Sequence, residues 1–484
     1  MYIRMSVILP SELLFISYYL AFAGRGRIVQ MKNILIRAGM SPFDTFDVPH
    51  ILLNNSIGGN VGNLVYQFSV FRTLMTEGTT ITPDYYHYDP KNADEINEKY
   101  DMYVIPLADA FREQFVPSLR KYTKLIKKLK IPVVVIGVGL RAPFEPKLNE
   151  GFPFDEDVKA FVKAVLEKSS IIGVRGEITA KYLSRLGFRE GVDHEVIGCP
   201  SMYAFGRELK IRETDITKDS LVCVNSSRLS PNHVLNFIAR GMEEFPNFYF
   251  IPQWLKELQL TYVGHPPLSK SSKNYPDKMS HPIYMNNRVV FPLNVVTWLD
   301  LLRKADLAFG ARLHGNIMAT IAGTPSLIIP KDARMRELAE YHQLTYVMAN
   351  EITDETRLSD LIEKVDFQSP TRRQAQNFDH FINFLNKNNI DHIYKEDLNP
   401  TNVPFDEKLK TVDPLPPVTP ISGLSLEEIV KRWENYHLVE KERNKKQKKE
   451  IEKRDEKIKK LQSQLNRKSV RVALKLSNLL ASKK

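Results

Sequence analysis

Short apolar runs alternate with amphipathic stretches along most of the chain, and this alternation limits the fold more than any other feature. Residues 131–139, IPVVVIGVG, form a β-branched run of the kind found in buried parallel strands. The segments 118–130 and 155–169 flank this run and have the apolar spacing of amphipathic helices. Alternation of this kind predicts an α/β fold with a doubly wound parallel sheet.

The alternating segments fall into two sets. The first set predicts strands at 50–55, 102–107, 131–139, 171–174 and 195–200, and helices at 62–78, 118–130, 155–169 and 177–187. The second set predicts strands at 220–227, 248–253, 306–310 and 325–330, and helices at 232–245, 295–305 and 312–323. We therefore expect an N-terminal α/β domain at 31–207 and a C-terminal one at 208–399. Two such Rossmann-like domains predict a GT-B-like arrangement that faces a cleft at the carboxyl ends of the strands.

The N-terminal lead, residues 1–30, has two interpretations. Residues 5–23 are largely apolar and end in Ala-Phe-Ala before Gly24, as a signal peptide does. Pro10 makes the segment a poor membrane-spanning helix. Met31 begins the segment MKNILIRAG and is an alternative start of the protein. A targeting segment and a mis-assigned start both stay open.

The C-terminal part carries the charge of the chain. Residues 400–424 are rich in proline and predict a stiff linker, which precedes a basic helical tail at 425–484. The whole chain has a formal charge of +11. Residues 440–484 contain 17 Lys and Arg against six Asp and Glu, so the remainder is formally neutral. A neutral body does not predict nucleic-acid binding.

The tail also has an apolar repeat. Apolar residues recur seven apart from Ile451 to Leu479, which predicts a coiled coil or a single amphipathic helix. Self-association, contact with an anionic membrane surface and a solvated charged helix are the three alternatives for it.

Several kinds of site are not signalled by the sequence. The two cysteines, Cys199 and Cys223, have neither metal-ligand nor redox spacing and suggest a reducing compartment. No Rossmann glycine fingerprint, Walker A lysine, HExxH or GxSxG motif is present. We therefore expect no metal and no cofactor, in a cytoplasmic protein whose tail offers peripheral contact with the inner face of the membrane.

Residues 309–330, FGARLHGNIMATIAGTPSLIIP, are the strongest candidate site. They predict a strand, a tight turn and a helix, with Arg312 and His314 at the first helical turn. Helix N-termini favour anions, and an Arg adds a fixed fork of donors for a carboxylate or phosphate. His314 is a candidate for proton transfer, and Gly315 leaves room beside a ligand. The alternative is a structural Arg–carboxylate pair with a core histidine beneath the helix.

Weaker candidates occupy other strand-to-helix turns. Arg175 lies at such a turn in the first domain. The loop SIGGNVGN contains Gly59, Asn60 and Asn63, whose backbone and side-chain groups are candidates for binding phosphate or sugar oxygens. Two further arginines follow strands, namely Arg141 and Arg228.

Over roughly residues 50–345 the chain resembles the polysaccharide pyruvyltransferase family. The shared elements are SIGGNVGN, IGVG, IGVRGEITAKYL and above all ARLHGNIMATIAGTPSLII. The resemblance implies transfer of the pyruvyl group of phosphoenolpyruvate, the donor substrate, onto a sugar to form a ketal. It places the family's cofactor-contacting arginines on Arg175 and Arg312 and its proposed catalytic histidine on His314. Many members have Asp-Pro where this chain has Cys199-Pro200.

The resemblance implies an acceptor that is a sugar of a cell-surface polysaccharide or its lipid-linked precursor. Two other functions stay open from the sequence. One is a GT-B-type glycosyltransferase that uses a nucleotide sugar in the same cleft. The other is a non-catalytic scaffold of a polysaccharide assembly that docks through the tail.

Overall fold

The computed structural model describes residues 31–269 and 274–481, which form two compact units. The predicted lead at 1–30 lies outside the described residues. The first unit contains residues 31–41, Phe68–Arg207 and Ala375–Thr411. The second contains Pro42–Gln67, the described part of Glu208–Gln374, and residues 412–481. The chain therefore passes from one unit to the other five times.

The first unit is built on parallel strands. Its strands are β1 (Lys32–Ile36), β2 (Thr79–Pro83), β3 (Met102–Pro106), β4 (Val133–Ile136), β5 (Ile172–Val174) and β6 (His194–Val196). Four of them form a sheet of order β2-β1-β3-β4, and β5 pairs with β6. A bridge between Val138 and Val174 continues the parallel pairing from the end of β4 to β5. All four residues of β4 are buried, which explains their β-branched, apolar character.

The second unit has a parallel sheet of its own. Its strands are β7 (Val222–Asn225), β8 (Phe248–Phe250), β9 (Leu307–Gly310) and β10 (Ser326–Ile328), in the order β10-β9-β7-β8. In the register of the two central strands, Asn225 of β7 lies beside Gly310 of β9. The carboxyl ends of these strands therefore lie side by side, and the residues that follow them lie at one edge of the sheet.

Helices connect the strands in both units. In chain order they are α1 (Val48–Asn54), α2 (Asn63–Leu74), α3 (Ala93–Lys99), α4 (Val116–Ile126), α5 (Asp155–Leu166), α6 (Glu177–Arg185), α7 (Asn232–Glu244), α8 (Leu255–Val263), α9 (Pro282–Met285), α10 (Val295–Lys304), α11 (Leu313–Ile321), α12 (Ala333–His342), α13 (Leu358–Lys364), α14 (Ser369–Lys387), α15 (Pro404–Leu409), α16 (Leu426–Leu465) and α17 (Lys468–Ala481). This arrangement confirms the predicted α/β class with parallel sheets and a helical C-terminal region.

The predicted strand at 50–55 is wrong, because these residues belong to helix α1. Asp47 caps the helix, its carboxylate accepting a hydrogen bond of 2.9 Å from the backbone N–H of His50. Pro49 in the first turn has its φ angle preset for a helix. The apolar run HILL favours a strand by its composition, but the cap and the proline start a helix. The first strand of the first unit is instead β1.

Helix α16 is anchored to the second unit by its N-terminal half. Arg432, Tyr436 and Val439 are buried there. Arg443 donates a hydrogen bond of 2.6 Å to the carbonyl of Leu52 in α1. From residue 444 to 469 the chain is exposed, including the apolar residues of the seven-residue repeat in that stretch. Self-association or membrane contact of this helix stays a prediction. Among the described residues, no helix combines the length and the apolar character needed to cross a bilayer.

Gly310 is required by the close approach of β9 to β7. Its φ is +143°, and a Cβ at this position would lie 1.7 Å from the carbonyl oxygen of Asn225. We expect Gly310→Ala to lower the free energy of unfolding by about 3 kcal/mol or more, because it combines backbone strain with a backbone collision. Gly187→Ala is the matched control, since Gly187 has a φ of +95° but no atom within 4 Å of the added Cβ. Urea denaturation of both variants measures the difference, and equal losses would contradict the collision.

Candidate functional site

The first turn of α11 is fixed to the end of β7 by the side chain of Asn225. The Oδ1 atom of Asn225 accepts hydrogen bonds from the backbone N–H of Arg312, at 2.8 Å, and from the side-chain amide of Asn316, at 3.1 Å. The Asn316 amide also donates to the carbonyl of Arg312, at 2.7 Å. Arg312 and His314 therefore project from a turn whose backbone is held on both sides.

The guanidinium of Arg312 is buried and held in one orientation. Its Nε donates to the carbonyl of Ser226 at 2.8 Å, and its Nη2 lies 3.4 Å from Oε2 of Glu257. Its Cζ lies 4.3 Å from the ring centroid of Trp254, a cation–π contact. These contacts use two of the five N–H donors of the guanidinium.

Glu257 organises the surroundings of Arg312. Its carboxylate is fully buried and accepts hydrogen bonds of 2.8 Å from the backbone N–H groups of Gln253 and Trp254. The hydroxyl of Tyr275 donates to its other oxygen. Burial, reinforced by this carboxylate, raises the pKa of Tyr275 well above its usual value, so the hydroxyl stays protonated. An Arg–carboxylate pair, one half of the structural alternative from the sequence, is thus present.

A second arginine lies on the same aromatic ring. The Cζ of Arg228 is 5.0 Å from the ring centroid of Trp254, and its Nη1 donates to the carbonyl of Ser269. Arg228, Arg312 and Glu257 together bring two positive charges and one negative charge to this region. The surplus positive charge favours an anionic ligand.

The glycine-rich loop packs against His314. The loop pairs with the segment that follows β8: Val61 N–H donates to the carbonyl of Gln253 at 2.9 Å, and Leu255 N–H donates to that of Gly59 at 3.0 Å. A Cβ on Gly62 would lie 2.8 Å from Nδ1 of His314, so only glycine at this position leaves room for the imidazole. The ring of Tyr66 lies close by, with its centroid 5.8 Å from that of His314.

The amides of Asn60 and Asn63 both have hydrogen bonds within this loop. Oδ1 of Asn60 accepts from Gly62 N–H at 2.8 Å. Nδ2 of Asn63 donates to the carbonyls of Ile57 and Gly58 at 3.0 and 3.1 Å. The structure therefore gives both residues a role in shaping the loop, and their predicted contact with a ligand stays a prediction.

The candidates of the first unit lie in different surroundings. Arg175 is fully buried, and its Nε donates to the carbonyl of Gly137 at 2.6 Å. Arg141 is exposed, with its Nη1 atom 3.8 Å from the carboxylate of Asp109. Cys199 is buried, with its Sγ 3.3 Å from the hydroxyl of Ser201. The prediction that Arg175 and Arg141 bind a ligand is unchanged by these contacts.

Gln253, Trp254 and Glu257 are not predicted as site residues from the sequence. They follow β8, about 60 residues before Arg312, in a segment that matches no motif. One signal was available, since residues after the carboxyl ends of parallel strands lie at the ligand-binding edge of such sheets. The predicted strand at 248–253 ends in Gln253, and Trp254 follows it directly.

The fold defines an α/β protein with parallel sheets, in which a buried arginine and a buried histidine lie at the start of a helix. The model of the family described as polysaccharide pyruvyl transferase matches residues 79–332, which is more than half of the chain. The chain belongs to this family, and it is a transferase of polysaccharide biosynthesis. No curated protein sequence gives a significant match.

Solved structures with a similar course of the chain include UDP-GlcNAc 2-epimerases. That of Methanocaldococcus jannaschii, in complex with UDP-GlcNAc and UDP, is 16% identical with a TM-score of 0.40, covering 74% of this chain and 99% of its own. That of Neisseria meningitidis, bound to UDP-GlcNAc, is 12% identical with a TM-score of 0.40, covering 74% of this chain and all of its own. The family assignment depends on the family match alone.

The buried pair of Arg312 and Glu257 makes a stability prediction. Removing either charge alone leaves the other buried without its partner, so Glu257→Gln and Arg312→Gln should each lower the free energy of unfolding by about 3 kcal/mol. The double variant should lose less than the sum, with a coupling energy of about 1–2 kcal/mol, in urea titrations.

The exposed pair Arg303 and Asp300, 3.2 Å apart, provides the control cycle. Its coupling should be below about 1 kcal/mol. Additive losses at Arg312 and Glu257 would mean that the two charges do not stabilise each other.

Proposed function

We propose that the protein transfers the pyruvyl group of phosphoenolpyruvate to a sugar and forms a pyruvate ketal, with Arg312 and His314 acting on the donor. The observation that carries the proposal is the pairing of a preset guanidinium with an imidazole on the first turn of α11, in surroundings with surplus positive charge. Membership of the polysaccharide pyruvyl transferase family supports the same reaction.

Arg312 suits the binding of the donor. Phosphoenolpyruvate carries a carboxylate and a phosphate, and a guanidinium matches either group with two parallel donors. Because Ser226, Glu257 and Trp254 already fix the orientation of Arg312, little reorganisation is needed when an anion binds. Arg175 of the first unit stays a predicted donor-contacting residue.

His314 suits the proton transfer. In the proposed reaction its imidazolium gives a proton to the methylene carbon of the donor while a sugar hydroxyl adds to the neighbouring carbon. The C–O bond to phosphate then breaks, and a second hydroxyl of the sugar closes the ketal. Of the two hydroxyl protons, one restores His314 and the other leaves with the phosphate, so the step is balanced without a further reactant.

The acceptor in this proposal is a sugar of a polysaccharide or of its lipid-linked precursor. The family description supports a polysaccharide acceptor. The basic tail supports contact with an anionic membrane surface, where a lipid-linked acceptor is held.

The first prediction from this function concerns the two site residues. We expect His314→Gln to lower turnover about 10²- to 10⁴-fold, because it removes the proton donor. Arg312→Lys should lower it about 10²- to 10³-fold, because the preset fork of donors is lost. Phosphate released from phosphoenolpyruvate in the presence of acceptor glycans measures both effects.

His87→Gln is the control variant, because His87 is an exposed histidine of the first unit. It should leave phosphate release unchanged. Near-normal turnover in His314→Gln would remove His314 from the mechanism. Release of a nucleoside diphosphate from a nucleotide sugar, with no phosphate from phosphoenolpyruvate, would identify a glycosyltransferase instead.

Truncation of the tail separates an enzyme from a scaffold. Deletion of 450–484 removes a segment whose residues 450–469 are exposed and keeps the anchoring contacts of α16, so an enzyme should keep its phosphate release. Deletion of 425–484 also removes Arg432, Tyr436 and Val439 from their buried positions and should lower the thermal midpoint by several degrees. A scaffold would be favoured if cells that carry the 450–484 deletion lose polysaccharide assembly and the purified protein shows no phosphate release.

A further inference from the structure

The N-terminal turn of α11 contains unused backbone donors. Helix α11 has nine residues, and Arg312 at its N-cap makes no side-chain capping bond. Within the part of the chain that the structure describes, no hydrogen bond is made by the backbone N–H groups of Leu313 and Gly315. Such groups, together with the helix dipole, favour an anion.

The side-chain amide of Gln253 lies beside these donors. Gln253 is 1% exposed, and its Nε2 has no hydrogen-bond partner among the described residues. A Cβ placed on Gly315 would lie 2.6 Å from this Nε2, so the amide reaches the first turn of α11. A buried amide donor without a partner costs free energy unless a ligand satisfies it.

Asn225 adds a second amide to the same position. Its Oδ1 is occupied by the N–H of Arg312 and the amide of Asn316, which fixes the direction of the side chain. Its Nδ2 then lies 3.0 Å from the position of a Cβ on Gly315. Two amide groups therefore pack against the glycine, and only a residue without a side chain lets both of them reach the first turn of α11.

We propose that Gln253 is a ligand-binding residue, whose amide, with the backbone N–H groups of Leu313 and Gly315, holds an anionic oxygen of the donor substrate. The inference rests on the proposed function and extends it from Arg312 and His314 to a third side chain. Arg312 supplies the charge, and the neutral donors of Gln253 and α11 supply the direction.

The test compares Gln253→Met with the wild-type full-length chain. Methionine keeps the length of the side chain and removes the donor. We expect the Kd for phosphoenolpyruvate, measured by calorimetry, to rise about 10- to 100-fold, as expected for a lost hydrogen bond to a charged group. Without ligand the unfolding midpoint should stay unchanged or rise, because the lost donor had no partner. A purely structural role would instead lower that midpoint.

Two further variants make the test specific. Gln259→Met, in α8, changes a glutamine whose amide donates to the carbonyl of His265 at 3.2 Å, and should leave the Kd unchanged. Gln253→Glu places a carboxylate at the anion-binding position and should weaken binding more than Gln253→Met does. Titrations with inorganic phosphate and with pyruvate show which end of the donor lies at Gln253.

The outcomes separate the two proposals. If wild type binds phosphoenolpyruvate and Gln253→Met binds it equally well, Gln253 is not a ligand-binding residue and the proposed function stands. If wild type binds a nucleotide sugar and no phosphoenolpyruvate, the proposed function is wrong. The proposal that Gln253 binds an oxygen of the donor is then wrong as well.

Discussion

The hydrogen bonds of the Asn225 side chain hold the second unit's site together. One oxygen atom joins the end of β7 to the first turn of α11, and the close approach of Gly310 to Asn225 makes that junction possible. Because the amide nitrogen of the same side chain lies beside Gly315, one residue both positions the helix and borders its N-terminal turn. The orientation of Arg312 and the position of His314 follow from this junction.

The sequence was sufficient for the repeating part of the fold. The β-branched run at 131–139 contains the buried strand β4, and residues 306–323 contain the predicted strand and helix as β9 and α11. Periodicity worked there because burial on both sides of a parallel sheet imposes a uniform apolar composition. It failed at 50–55, where an apolar run too short to show a period belongs to a capped helix.

The site was predictable only in part. Arg312, His314 and Gly315 belong to one contiguous motif, so local sequence was enough to select them. Trp254 and Glu257 contact Arg312, and Gln253 lies beside Gly315, through the pairing of strands far apart in sequence. In the sequence, Glu257 resembles any acidic residue in the first turn of a helix. The identity of a buried partner depends on tertiary contacts, which no local pattern records.

The pairing of residues 59–61 with 253–255 has a consequence for how the second unit is encoded. The segment that covers the imidazole of His314 precedes the main body of that unit by some 150 residues of sequence. A protein fragment that begins at Glu208 would therefore lack the segment that contains Gly62 and Tyr66, which lie beside His314. The second unit is assembled from three separate segments of the chain, so recombination at a point between residues 67 and 208 would separate Gly62 and Tyr66 from His314.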